Sequence, residues 1–384
     1  MHICFVVHEY LDTFERAEDL LKSFHSFTEW CEALEALGVQ ITAIIRFKKN
    51  ARIREGKIDY QFVDDGLPAR LSFWQIPRKL HQIAAQVPAD LFHLHNMNKV
   101  LQHRHLLQCL KRSRPVLIQN HAETPRFWLR NQLQKWVFPQ VNALLFCASG
   151  QEEIWQRKRI LSQHNSIYYL MEGSTHFSYQ AREQARAATG MSGSPVFLWV
   201  GNLNENKNPL GILKAFEANL STHPQARLYF LYQDDGLLPT LQNYLRSAPL
   251  LAQVVHLLGS RPRHQMADHF NSADYFILGS HREGSGYALL EAMACGCVPI
   301  VTDIPSFRMM TDQGRLGPLS PPGDWKQMAQ SIEGVLQGDW QEQSTAVRQF
   351  FDTHLSYPAI ARQLLRYYQE ISQKFGQDKS YKDK

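Results

Sequence analysis

Two carboxylates, Glu283 and Glu291, stand in the stretch ADYFILGSHREGSGYALLEAMACGCVPIVTD, Ala273–Asp303. The apolar run Tyr275–Leu278 leads into a polar loop, Gly279–Gly286; a helix-like segment follows from Tyr287 and closes at Gly296, and a second apolar run, Val298–Val301, comes next. The order is strand, loop, helix, strand. The first N–H groups of a helix have no internal partner, and the macrodipole favours negative charge in front of them. Gly284, Ser285, Gly286, Tyr287, Ala288 and Leu289 therefore make a candidate phosphate cradle. Carboxylates repel phosphate, so Glu283 and Glu291 need another partner, and sugar hydroxyls around the phosphate suit them as hydrogen-bond donors.

The chain of 384 residues exceeds the size at which one core keeps growing, so two domains are expected. Its 44% hydrophobic and 20% charged content is that of an ordinary globular protein. The net charge is +5, with the positive surplus in residues 1–190. Scattered solvated charge accounts for this surplus; a peripheral contact with an anionic membrane surface is the sharper alternative. Pro125–Pro139 sharpens it, placing Phe127, Trp128, Leu129, Leu133, Trp136 and Val137 among Arg126, Arg130 and Lys135, although helices that cover a sheet look much the same. No basic stripe with interleaved aromatics points to nucleic acid. The six cysteines lack metal-site spacing and read as reduced core residues, Cys295-Gly-Cys297 included, which suits the cytoplasm. No apolar run approaches the ~18 residues of a membrane span, and Met1–Val7 reads as a first strand and not as a signal peptide.

Short apolar runs alternate with helix-length segments throughout, which predicts parallel β-α-β units. The first strand, His2–His8, precedes a helix around Thr28–Leu37. Between Glu9 and Ser26 the chain is acidic and lacks glycine, so a dinucleotide-binding turn is disfavoured. Lys48–Lys57 reads as a basic loop. Strands over Asp90–His95 and Pro115–Gln119 end at His93, His95 and Asn96 and at Asn120-His121-Ala122-Glu123. Ligands of open α/β sheets bind beyond strand carboxyl ends, so His95 and His121 stand where chemistry is expected, though a lone histidine is more often structural. A metal reading of His93, His95 and His121 has no carboxylate or cysteine to complete it. A polar stretch over residues 180–195 predicts the domain boundary. Beyond it come a second series of strands and helices, a loop at Pro318–Gly323, a long helix at Tyr357–Phe375 and a frayed tail, Gly376–Lys384.

The segment Glu283–Val301 resembles the E-x7-E signature of glycosyltransferase family 4, retaining enzymes of the GT-B fold. Val200–Lys207, Leu257–Ser260, Ala273–Leu278 and Pro318–Asp324 resemble that family's neighbouring segments, whereas the first half is similar mainly through strand order and His121. The resemblance implies an α/β protein: two Rossmann-like doubly wound domains facing each other across a cleft, with a C-terminal helix crossing back. Residues 1–180 would bind the acceptor, 181–355 the nucleotide-sugar donor, and 356–375 would close onto the first domain. Glu283 would bond the transferred sugar, Glu291 the ribose, Ser285–Leu289 the diphosphate through backbone amides, and Lys207 its growing charge. His121 would face the donor sugar. No cofactor or dedicated metal is implied. Asn202 stands where the family usually has arginine; its amide can donate to the diphosphate but supplies no charge. Either stabilisation of the diphosphate is weaker or Arg261, Arg263 or Arg282 substitutes, Arg261 standing with Asn202 among the expected donor-binding residues. The acidic segment Glu9–Glu18 replaces the family's Gly-Gly loop, so acceptor binding is not carried over.

The function implied is transfer of a sugar from a nucleotide diphosphate-sugar to a glycan or lipid-linked acceptor, in cell-surface polysaccharide or glycoconjugate synthesis, in the cytoplasm or at the inner face of the membrane. A sugar-nucleotide epimerase and a non-catalytic nucleotide-sugar-binding subunit are the competing readings. Donor screening without acceptor separates the first, and loss of turnover on substitution of Glu283, Lys207 and His121 separates the second.

Overall fold

Apolar runs rich in Ile, Val, Leu and Phe become strands covered on both faces, the condition under which a parallel sheet is stable. The computed structural model describes residues 1–125, 128–161 and 165–382. Two units result: Met1–Gly173 together with Tyr357–Lys384, and Ser174–Ser356.

The first unit contains β1 (His2–Val7), β2 (Gln40–Arg46), β3 (Ala51–Glu55), β4 (Ile58–Val63), β5 (Leu91–His95), β6 (Val116–Gln119), β7 (Ala143–Phe146) and β8 (Ser166–Tyr169). Their order in the sheet is β3-β4-β2-β1-β5-β6-β7-β8. All neighbours are parallel except β3 and β4. The order reverses between β1 and β5, which opens a crevice at their carboxyl ends.

Lys48–Lys57 is therefore not a loop. Its centre is the edge strand β3, turned back onto β4 through Gly56 at φ +54°, and Arg52 reaches Asp59 across the pair at 2.5 Å. Charged side chains suit an edge that must not pair with another sheet, which is why the strand reads as a loop. The acidic segment also acquires structure: Ala17–Ser23 is a helix and a second runs over His25–Ala36. Glu15 accepts from Lys48 at 2.5 Å, and Lys99 pairs with Glu9. The acidic and basic segments thus largely serve each other.

Arg46 pins the loop beyond β4. Fully buried, it clasps Asp65 through Nε at 2.7 Å and Nη2 at 2.9 Å, and donates to the carbonyls of His8, Leu67, Pro68 and Ala69. A buried guanidinium is tolerated here because all its N–H groups are satisfied.

The helix Trp128–Val137 buries Gln134 and Val137, and Leu133 packs on the core, while Trp136 stays half exposed beneath the Arg104 guanidinium at 4.0 Å. Arg126 and Phe127, part of the amphipathic reading, lie outside the described residues. The last helix runs over Tyr357–Lys382, so Gly376–Lys382 continue it instead of fraying; one glycine costs about 1 kcal/mol in a helix and does not end it without a turn to follow. Asp383 and Lys384 lie outside the described residues. This helix buries Leu364, Tyr368 and Ile371, and Tyr367 donates to the Tyr169 carbonyl at 3.0 Å.

In the second unit β9 (Val196–Val200), β10 (Arg227–Leu231), β11 (Val255–Gly259), β12 (Tyr275–Leu278), β13 (Val298–Thr302) and β14 (Leu319–Ser320) form a wholly parallel sheet in the order β11-β10-β9-β12-β13-β14. Its reversal lies between β9 and β12. The unit begins at Ser174, ahead of the expected boundary, and the polar stretch over residues 180–195 holds a helix, Arg182–Thr189. Its arginines face inward: Arg182 and Arg186 pair with the buried Asp274 at 2.5 and 2.9 Å. The polar stretch that suggested a boundary is anchored to the second unit by its charge. The loop expected at Pro318–Gly323 contributes β14, with Leu319 beside Val301. All six cysteines are free thiols, and burial raises the pKa of both Cys295 and Cys297. No described helix is long and apolar enough to cross a membrane.

Arg46→Leu leaves the Asp65 carboxylate buried without its partner, and should cost the first unit about 3–5 kcal/mol in urea unfolding. Adding Asp65→Leu should recover part of that loss.

Candidate active site

At the reversal of the second sheet, β9 and β12 send out neighbouring loops, and the residues between strand and helix bind those loops together. After β9 the chain turns through Asn202–Asn208. Asn204 caps the turn Glu205–Lys207 by accepting from the Lys207 amide at 3.1 Å. Asn208, at φ +47°, then caps the helix Pro209–Ala218, accepting from Gly211 N at 3.2 Å with proline in the first turn. Asn206 joins this loop to the next: its carbonyl accepts from His281 N at 2.8 Å and its amide donates to the Arg282 carbonyl at 3.0 Å. The result is an ion pair, Lys207 Nζ to Glu283 Oε1 at 2.5 Å, with the side chains 20% and 13% exposed.

The helix Tyr287–Ala294 starts at Gly286, which adopts φ +62°. A Cβ there would lie 2.8 Å from Phe307 Cε1, so both backbone and space call for glycine. Leu289 and Leu290 donate to the Gly286 carbonyl at 2.9 and 3.3 Å, so the helix is wound from that residue. Tyr287 and Ala288 open this helix, and Gly284 and Ser285 form the bend that leads into it. Glu291 turns inward within the helix. It is buried and paired with Arg263, whose guanidinium lies 4.8 Å over the Phe177 ring and is otherwise exposed. Burial pushes the Glu291 carboxyl pKa up; Arg263 draws it back only in part.

Of the other donor-side candidates, Arg261 folds back on its own loop, donating to the carbonyls of Leu258 and Ser260 at 2.6 and 2.9 Å. Asn202 is exposed, its carbonyl accepting from Asn204 N at 2.8 Å. The guanidinium engaged with a predicted site carboxylate is that of Arg263.

In the first unit the strand ends carry a chain of rings. His121, after β6, meets Glu172, after β8, through Nδ1 to Oε2 at 2.5 Å. Its Nε2 lies 3.0 Å from Nδ1 of His95, the last residue of β5. His95 stacks on His93 with ring centroids 5.0 Å apart, and His93 is held by Tyr368 Oη at 2.7 Å and Gln119 Oε1 at 3.1 Å. Burial lowers the pKa of His93 to about 3 and holds that of His95 well below the usual imidazole range. Burial also acts to lower that of His121, but Glu172, bonded to it, and Glu123 outweigh this and leave its pKa raised. Backbone strain marks the same place: Asn96 and Ala122 take φ +71° and +61°. Sequence reasoning singled out His121 and noted His95, but passed over Glu172. The signal was available, since Glu172 follows a strand's carboxyl end just as His121 does.

Residues 181–349 match the family described as glycosyl transferases group 1. The chain carries a group 1 glycosyl transferase domain. The D-inositol 3-phosphate glycosyltransferase of Corynebacterium jeikeium (strain K411) is 28% identical over 207 residues, 50% of this chain and 48% of that protein. The GDP-mannose:cellobiosyl-diphosphopolyprenol alpha-mannosyltransferase of Xanthomonas campestris is 24% identical over 234 residues, 59% of this chain and 60% of that one. The chain thus spans between half and two thirds of the second relative's length and 48% of the first's. Among solved structures, a glycosyltransferase of Rickettsia africae ESF-5 aligns with TM-score 0.69 at 14% identity, covering 96% of this chain and 98% of that one. That likeness is one of fold, GT-B with two Rossmann-like units. The glycosyl transferase domain coincides closely with the second unit and contains Lys207, Glu283, Arg263 and Glu291.

Gly286→Ala should destabilise the glycosyl transferase domain by about 1–2 kcal/mol, since an L-residue is forced into the left-handed region against Phe307. A lowered thermal midpoint of that unit checks it.

Proposed function

We propose that this protein is a retaining glycosyltransferase that moves a sugar from a nucleotide diphosphate-sugar to a glycan or lipid-linked acceptor. The observation that carries the reading is the Lys207–Glu283 pair at 2.5 Å, at the sheet reversal of a group 1 glycosyl transferase domain. A diphosphate competes for the lysine by its higher charge and leaves Glu283 to accept from sugar hydroxyls. The backbone from Gly284 to Ala288 receives the phosphates and Glu291 the ribose hydroxyls, whereas the Leu289 amide, expected to join the cradle, is spent on the Gly286 carbonyl at 2.9 Å.

In the transfer, the bond from the sugar's anomeric carbon to the phosphate oxygen breaks and a bond to the acceptor oxygen forms on the same face. The departing phosphate takes the acceptor's proton. Lys207 and the helix start meet the negative charge that grows on the leaving group, the term that usually dominates such a step. These charges belong to the chain itself, so the proposal assigns no resident metal. In the first unit, His121 offers a positive charge to the reaction. One relative's name specifies GDP-mannose and a diphosphopolyprenol, which favours a lipid-linked acceptor; a place in surface glycoconjugate synthesis at the cytoplasmic face of the membrane belongs to the same proposal.

A thermal-shift panel of GDP-mannose, UDP-glucose, UDP-N-acetylglucosamine and ADP-glucose should find a stabilising donor, because a ligand that binds only the folded state raises its stability by mass action. With that donor, Lys207→Ala and Glu283→Ala should each lower turnover by about 10²-fold or more, read as release of nucleoside diphosphate. Stabilisation by no donor speaks against the reading, and an epimerised donor released without acceptor replaces transfer with epimerisation.

A further inference from the structure

His121 has both ring nitrogens engaged inside its own unit. On one side stands a carboxylate that can only accept: Glu172 Oε2 at 2.5 Å from Nδ1. On the other stands His95 Nδ1, 3.0 Å from Nε2. Neither partner is a loose surface group. The Glu172 side chain is 14% exposed, and His95 is wedged between ring neighbours, Phe5 and Phe27 with centroids at 6.0 Å and His93 at 5.0 Å. His93 in turn is fastened to Tyr368 of the last helix. The stack continues to His121, whose ring lies 5.1 Å from that of His95 at an interplanar angle of 28°. Only the flank of the His121 ring is left to the surface, the side chain being 36% exposed.

We infer that Glu172 and His95 are positioning residues that hold His121 by both nitrogens, so that it serves the transfer reaction as an oriented positive charge and not as a proton-transfer group. The inference rests on the glycosyltransferase reading for the word transfer, but the clamp itself belongs to the folded first unit. A group that shuttles a proton needs one nitrogen turned to the reacting atom within hydrogen-bond reach. Here the Nδ1–H is given to Glu172 in either protonation state, and Nε2 is given to His95. As imidazolium, His121 donates in both directions, and His95 accepts as the neutral ring that its burial favours.

The charges around His121 favour that cation. Glu172 and Glu123 face it, the latter also accepting from the His121 amide at 2.9 Å. His95 and His93 oppose it only if they are charged, and burial keeps both neutral. Cys147, beside Glu172, is held in its thiol form by burial. The His121 pKa is raised overall, so the cation prevails below that value and is lost as pH rises through it. The two possible roles therefore give opposite pH dependences: a fixed charge loses activity as pH rises through the His121 pKa, whereas a general base gains it.

Histidine titration by NMR on the full chain tests the clamp without any substrate. Glu172→Gln should lower the His121 pKa by at least about one pH unit, as expected on removing an opposite charge in contact. An unchanged pKa overturns the clamp whatever the protein's activity. With the donor found in the panel above, turnover should fall as pH rises, and in Glu172→Gln the fall should move to lower pH. An ascending limb that moves with Glu172→Gln identifies His121 as a base and overturns the inference while leaving glycosyl transfer standing. His95→Phe fills the same space among Phe5 and Phe27 but gives Nε2 no partner. It should keep the wild-type melting temperature within a few degrees and lower turnover about ten-fold, and His95→Asn, which can bond Nε2, should restore most of it. Equal turnover in the Phe and Asn variants overturns the part assigned to His95.

Discussion

The candidate site of the second unit depends on an ion pair that the fold holds almost out of water. Lys207 and Glu283 are 76 residues apart in sequence, yet they meet at 2.5 Å because β9 and β12 are adjacent strands whose following loops leave the same edge of the sheet. Asn206 fastens the loops to each other through two hydrogen bonds. Desolvating such a pair costs about what its attraction returns, so stability alone is a weak reason to keep it. Position is the stronger one. A cation and a carboxylate held side by side are matched to a ligand that brings both negative charge and hydroxyl donors.

The first unit solves a different electrostatic problem. It gathers His93, His95 and His121 along strand ends, and burial alone drives imidazoles to their neutral form. His93 and His95 follow that rule. His121 departs from it because two carboxylates, Glu172 and Glu123, converge on it from the loops after β8 and β6. The ring stack extends this control to the last helix through Tyr368, so a residue near the chain's end helps to orient a ring placed far earlier.

In two places where the chain read differently from its structure, polar composition was the cause. Lys48–Lys57 is polar enough to pass for a loop and residues 180–195 for a domain boundary, but one holds an edge strand and the other a helix anchored by Arg182 and Arg186 on Asp274. Composition reports how polar a segment is and not whether its charges find buried partners. The same limit hid Glu172, a single carboxylate in an unremarked loop, and left open which of Arg261, Arg263 and Arg282 meets a site carboxylate. Pairing partners distant in sequence leave no local pattern.

By itself the sequence determined the alternation of strand and helix, the two-unit plan and the stretch Ala273–Asp303 with its loop, helix and two carboxylates. Those features rest on local rules: apolar runs, glycines at turns, and unpartnered amides at a helix start. Only the tertiary structure decided which charges meet: Lys207 with Glu283, Arg263 with Glu291, and His121 between Glu172 and His95. The physical reason is that a parallel sheet brings the ends of strands far apart in the chain to one edge, and that juxtaposition is set by strand order, which no short segment encodes.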